Sequence, residues 1–129
     1  MPTHVNDLTR VIIGAAIEVH RNLGPGLLES AYHRCLAREL QLQGVPFKSK
    51  WPLQLEYKGL QIPKTYNLDL LIADTVVVEI KSIAKLAPIH EAQLLTYMRL
   101  GGWHVGLLMN FNEIVLKDGI RRRVLELEE

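Results

Sequence analysis

The stretch from Asn67 to Ser82 carries the densest chemistry in the chain. Asp69 is followed ten residues later by Glu79, Ile80 and Lys81. Side chains on a strand alternate between its two faces. The segment reads as a hairpin around Ala73-Asp74-Thr75, with Ile72 opposite Val76. Leu68, Leu70, Ile72, Val76, Val78 and Ile80 then share one face, and Asn67, Asp69, Leu71, Val77, Glu79 and Lys81 the other. A slip of one residue would mix the two sets, so the pattern selects this register. It places Asp69 opposite Glu79 and Asn67 opposite Lys81.

Facing carboxylates repel, at a cost of up to about 1 kcal/mol in a sheet. Burial raises that cost by stripping their water. A hard divalent cation, Mg²⁺ or Mn²⁺, would neutralise them, because these ions favour oxygen ligands. Such an ion polarises a phosphoryl oxygen and acidifies a bound water. Lys81 on the same face is suited to orienting that water or meeting a transition-state phosphate. The chemistry expected is metal-dependent hydrolysis of a phosphodiester. The competing reading is a solvated sheet face with Lys81 as an ion-pair partner, and the spacing alone fits both.

The elements that must position these residues follow from periodicity. Leu8, Val11, Ile12, Ala15, Ala16, Val19 and Leu23 recur at helical spacing. Asn6 is the expected N-cap, and Gly24-Pro25-Gly26 separates this helix from a second, from about Leu27 to Leu42. Phe47 to Tyr57, Leu60 to Ile72 and Val76 to Ile80 read as strands. Pro88 opens a third helix that Gly101-Gly102 ends near Leu100. Trp103 to Met109 is a strand, and Asp118-Gly119 predicts a tight hairpin joining Ile114–Lys117 to Ile120–Leu125. The order α-α-β-β-β-α-β-β-β predicts an α/β fold: a mixed central β-sheet flanked by helices, with an N-terminal helical hairpin.

Composition bounds the function. The 129 residues suit a single domain spanning 1–129, and such a length buries about two-thirds of its unfolded surface. The net charge of +1 is far from the strongly basic balance of a non-specific nucleic-acid binder, so any such contact must come from a local patch or a metal. Cys35 is the one cysteine, which excludes an intramolecular disulfide and a cysteine zinc cluster. Nothing reads as a signal peptide or membrane span, so a cytoplasmic setting with no membrane partner is expected.

Three sequence elements together resemble a known group. Asp69 with Glu79-Ile80-Lys81 resembles the PD-(D/E)XK nuclease superfamily and its restriction-endonuclease-like fold, with Leu68 where a proline usually precedes the Asp. Gly26-Leu27-Leu28-Glu29-Ser30-Ala31-Tyr32, within a phrase that begins at His20, is similar to the bacterial GxxExxY family grouped with those nucleases. Gln93 to Tyr97 is similar to the QxxxY motif of the branch related to the RecB nuclease domain. The resemblance spans about Asp7 to Leu125. It implies a nuclease acting on nucleic acid, DNA in the first instance, with Mg²⁺ or Mn²⁺. It implies that Glu29, Asp69, Glu79 and the Ile80 carbonyl hold the metal. Lys81 would be the catalytic lysine, and Gln93, Tyr97 and His20 would meet substrate.

Each of these residues also has a plainer reading. Glu29 is a first-turn acid favoured by the helix dipole, and His20 a helix C-terminal histidine. Gln93 and Tyr97 are a boundary amide and a core aromatic. Cys35 is a small buried hydrophobe. Arg121-Arg122-Arg123 is either a nucleic-acid contact or a charged edge strand. Lys48, Lys50, Lys58 and Lys64 are candidates for a backbone-binding surface, while Trp51 and Trp103 either stack on bases or pack. The alternative function is a non-catalytic nuclease-fold binding module that acts with a protein partner. A third is hydrolysis of a smaller phosphate compound. A homodimer through Ile120–Leu125 is compatible with either.

Overall fold

A computed structural model describes residues 4–63 and 66–126. Lys64 lies outside the described residues. Helices α1 (Val5–Leu23) and α2 (Glu29–Leu42) come first, then strands β1 (Phe47–Pro52), β2 (Leu55–Tyr57), β3 (Leu60–Ile62), β4 (Asn67–Ile72) and β5 (Val76–Lys81). Helix α3 (Pro88–Gly101), β6 (Val105–Asn110), a 3₁₀ turn (Leu116–Gly119) and β7 (Ile120–Val124) complete the chain.

The central sheet has the order β1-β4-β5-β6-β7. Among the described strands only β5 and β6 pair in parallel, which requires a crossover, and α3 is that crossover. The N-terminal helical hairpin covers one face, where Leu8, Ile12, Tyr32, Leu36 and Leu40 pack with Leu70, Ile72, Val78, Ile80, Leu107 and Phe111. Helix α3 covers the other through Leu94 and Met98, against Leu71, Val77 and Leu108. The fold is thus the expected mixed sheet flanked by helices. Strand β5 is buried at every position from Val76 to Ile80, as a central strand covered on both faces must be. Among the described residues no helix is long and apolar enough to cross a membrane.

The β4–β5 register is the one that hydrophobic alternation selects: Leu70, Leu71 and Ile72 face Val78, Val77 and Val76. Leu68 departs from it. It packs with Leu71 and Val77 beneath α3, on the face opposite Leu70. Strict alternation fails at Asp69, where the ladder pairing of β4 is missing on both sides. Lys50, across from Asp69 on β1, takes a left-handed φ of 52°, and the β1–β4 pairing skips that step.

Other expectations are corrected. The N-cap of α1 is His4, whose Nδ1 accepts from the Asn6 N–H at 3.1 Å; Asn6 is already helical. The long strand from Phe47 breaks after Pro52, where the Leu53 N–H turns to the Tyr66 carbonyl and its side chain enters the core under α3. The strand expected from Leu60 breaks at Pro63, leaving β2–β3 as a separate two-stranded sheet. The Asp118-Gly119 hairpin does not form. Those residues belong to the 3₁₀ turn that buries Leu116, and β7 pairs antiparallel with β6. Gly119 serves close approach: a Cβ there would sit 2.6 Å from the Asn110 carbonyl oxygen.

Candidate active site

Strands β4 and β5 splay just beyond the Leu70–Val78 pair, and two carboxylates fill the opening. The Asp69 N–H donates to Glu79 Oε2 at 2.8 Å, and the Ile80 N–H donates to Asp69 Oδ2 at 2.7 Å. Each acid therefore satisfies backbone on the opposite strand, where ladder carbonyls would otherwise serve. The predicted face-to-face pair is real, and its rotamers are held by the chain itself.

Glu79 is only 4% exposed. Burial, then the Asp69 charge, push its carboxyl up to about 8, against the lowering effects of the Asp69 N–H and Lys81. The pair thus calls for positive charge, a proton or a cation. The donors are all oxygen, which suits a hard divalent ion, and Mg²⁺ is commonly held by one or two carboxylates with water and substrate phosphate completing its shell. The Asp69–Glu79 pair fits such an ion. Among the described residues no group of three His, Cys, Asp or Glu is arranged to hold a metal. Glu29 stands near enough to matter: burial and the Asp69 charge raise its pKa, and Lys81 lowers it.

The turn before α2 explains how Glu29 is placed. Gly24 and Gly26 take φ of 71° and 97°, which favour glycine. The Tyr32 hydroxyl donates to the Gly24 carbonyl at 2.6 Å and accepts from the Leu27 N–H at 3.0 Å, while its ring stacks on Phe111 at 4.7 Å. Ser82 Oγ donates to the Leu27 carbonyl, tying this turn to the chain leaving β5. The G-x-x-E-x-x-Y phrase is therefore a brace that sets the first residue of α2 beside the acidic pair.

Helix α3 supplies the other wall. Lys81 Nζ donates to Gln93 Oε1 at 3.4 Å, and Gln93 Nε2 donates to the Tyr97 oxygen at 3.2 Å. Burial raises the Tyr97 pKa, with Glu79, Tyr66 and Asp69 adding to the effect. Gln93 and Tyr97 are thus linked to the lysine by side-chain hydrogen bonds. His20 is not brought into that network. It is buried beside Phe111, and its Nε2 donates to the Glu113 carbonyl at 2.7 Å.

Two residues escaped sequence reading. His33, one helical turn beyond Glu29, is buried and shares a 2.6 Å hydrogen bond with Ser49 Oγ. Burial lowers its pKa, partly offset by the Asp69 charge. The four-residue spacing from Glu29 was its signal. Asn110, fully buried at the end of β6, accepts from the Ile83 N–H and donates to the Ile83 carbonyl. It anchors the segment that follows Lys81, and a polar residue closing an apolar strand was its signal. The basic run is occupied internally: Arg121 and Arg123 pair with Glu91, and Arg122 donates to Asn6.

This geometry meets the comparisons with known proteins at one point. Residues 6–123 match the PD-(D/E)XK nuclease superfamily. The chain belongs to that superfamily. PD-(D/E)XK nucleases generally use divalent metals, in keeping with the oxygen donors gathered here. Among curated proteins none matches the chain. The crystal structure of an alkaline exonuclease, LHK-Exo from Laribacter hongkongensis, is similar in fold, with a TM-score of 0.51 at 15% identity. The match covers 98% of this chain and 73% of that one, so the PD-(D/E)XK chain shares a fold with that enzyme over nearly all of its own length.

Proposed function

We propose that this protein is a metal-dependent nuclease of the GxxExxY type, a single domain over residues 1–129 that works in the cytoplasm and hydrolyses phosphodiester bonds, with DNA as the first substrate class. The observation that carries the reading is the reciprocal hydrogen bonding of Asp69 and Glu79 in a buried, charge-demanding opening of the sheet. Asp69 and Glu79 would hold the cation, Mg²⁺ or Mn²⁺, with the Ile80 carbonyl and Glu29 as further oxygen donors. When bound, that ion supplies Lewis acidity toward a phosphoryl oxygen and a more acidic water.

The remaining chemistry belongs to the chain. Lys81 orients the attacking water and meets developing negative charge on the phosphoryl oxygens. Gln93 restrains the Lys81 ammonium, and Tyr97 restrains Gln93. His20 supports the site from behind Phe111, on which Tyr32 stacks. Strand β7 lies at the sheet edge, where a second copy or a protein partner would add a strand.

The test is a calorimetric titration of Mn²⁺ into the wild-type protein and Asp69→Asn, followed by DNA cleavage assays on Glu79→Ala and Lys81→Ala. Saturable binding lost in Asp69→Asn, and cleavage lost in both alanine variants, are expected. Cleavage retained in both would overturn the mechanism. A folded protein that takes up no Mn²⁺ with or without DNA, and cleaves nothing, would be the non-catalytic binding module instead.

A further inference from the structure

Beside the acidic pair, α2 and β1 enclose a cleft of about 550 Å³. Arg34, Arg38 and Lys50 line it together with Ser30, His33 and Ser49, and no acidic residue does. Arg34 and Lys50 make no ion pair or hydrogen bond through their side chains among the described residues. Arg38 donates only to neutral Gln41. Among its described lining residues the cleft thus gathers three cations and no acid, in a chain of net charge +1.

Its position ties it to the site. Ser30 follows Glu29, and His33 feels the charge of Asp69. Lys50 lies across from Asp69 at the one step where β1–β4 pairing is interrupted, on a left-handed backbone that is uncommon outside glycine. Four other basic candidates are committed elsewhere. Lys48 pairs with Asp74 at 2.8 Å, and the Arg121–Arg123 run is tied to Glu91 and Asn6. Among the described residues no cation lines the cleft between Trp51 and Trp103.

We propose that the α2–β1 cleft binds the phosphodiester backbone of the nucleic acid, running the strand along α2 into the Asp69–Glu79 pair. This rests on the nuclease reading and names the surface by which the substrate is held. Guanidinium and ammonium groups in a cleft with no acid among its described lining residues match phosphate, and Ser30 adds a hydroxyl donor. A near-neutral protein can then hold nucleic acid, because local charge, not total charge, meets the strand.

Fluorescence anisotropy of labelled duplex and single-stranded DNA, in EDTA and in calcium buffer across a salt series, tests this. The proteins compared are the wild type, Arg34→Gln/Lys50→Gln, and the charge-matched control Arg10→Gln/Lys117→Gln. For duplex, the slope of log K against log salt should become shallower by about two in the cleft variant, with affinity at 0.1 M salt down roughly tenfold or more. The control should keep the wild-type slope. Equal slopes in cleft variant and wild type would overturn the proposal, and so would a wild type that binds neither DNA form. Mn²⁺ titration of the same proteins separates the two readings. Metal uptake with unchanged DNA binding in the cleft variant leaves the nuclease and removes the cleft. Thermal melting checks folding, with Arg34→Gln alone as the milder variant.

Discussion

Asp69 and Glu79 hold one another through the backbone: the N–H of Asp69 is bound by the Glu79 carboxylate, and the N–H after Glu79 is bound by the Asp69 carboxylate. The arrangement opens the β4–β5 ladder and fixes two carboxyl groups in the gap, where ionising both is costly. Its electrostatic tension is what makes the site testable without a substrate.

Metal-free stability should fall as pH rises from about 5 to 8. The Glu79 carboxyl keeps its proton to about 8 in the folded protein, against 4.5 as the ordinary value. Between those values the folded state binds the extra proton, so raising pH favours unfolding, by at most about 1.4 kcal/mol per pH unit for one proton. Denaturant unfolding in EDTA should show this slope, and Glu79→Gln should flatten it. A wild type with pH-independent stability over this window would contradict the charge arrangement.

Cation affinity should run the opposite way. A divalent ion must displace the proton on the pair, so Mn²⁺ affinity should rise between pH 6 and 8, by at most about tenfold per unit for one proton. Calorimetry in buffers of differing ionisation enthalpy would read the released proton directly. Asp69→Asn should abolish uptake at every pH.

Lys81→Met should lose cleavage by about 10²-fold or more while keeping Mn²⁺ uptake, because in the proposed mechanism the ammonium acts on water and phosphate and is not a ligand. Gln93→Leu should lower kcat by a smaller factor, near tenfold, with little change in KM, since Gln93 acts through the lysine. A KM effect alone would make Gln93 a substrate contact.

Tyr32→Phe removes both hydroxyl bonds that brace the Gly24–Leu27 turn. The expected loss is about 1–2 kcal/mol, or roughly 5 °C in Tm. Cleavage measured well below Tm should also drop, because Glu29 loses its support. Unchanged cleavage would mean that the brace serves folding only.

Gly119→Ala should destabilise by about 1–3 kcal/mol, since its Cβ would meet the Asn110 carbonyl oxygen at 2.6 Å. Asn110 also anchors Ile83, so the loss should be accompanied by faster amide exchange at Ile83. A glycine that merely served a hairpin turn would need positive φ, which Gly119 does not take.

The legible parts of this protein are those with local periodicity. The β4–β5 register, the helical hairpin, the α3 crossover and the pairing of Asp69 with Glu79 all follow from apolar residues at period 2 or 3.6. Pro52 and Pro63 marked breaks within runs that were otherwise convincing strands, and alternation alone outweighed them. Asp118-Gly119 carries the local signature of a hairpin turn, yet burial of Leu116 and the approach of Asn110 outweigh it. Leu68 changes face next to Asp69, whose N–H is taken by the Glu79 side chain, an arrangement that no alternation pattern encodes.

By itself the sequence determined which residues are chemically able, and the strand register that sets two carboxylates against each other, because both depend on neighbours within a few positions. The tertiary structure alone decided how those acids are held and charged, that Tyr32 braces the Glu29 turn, that Gln93 reaches Lys81, and that Arg34 and Lys50 share an acid-free cleft. Those facts arise where α2, β1, β5 and α3 meet, between residues far apart in the chain. Hydrogen bonding, burial and charge act through space there, and only packing sets the distances.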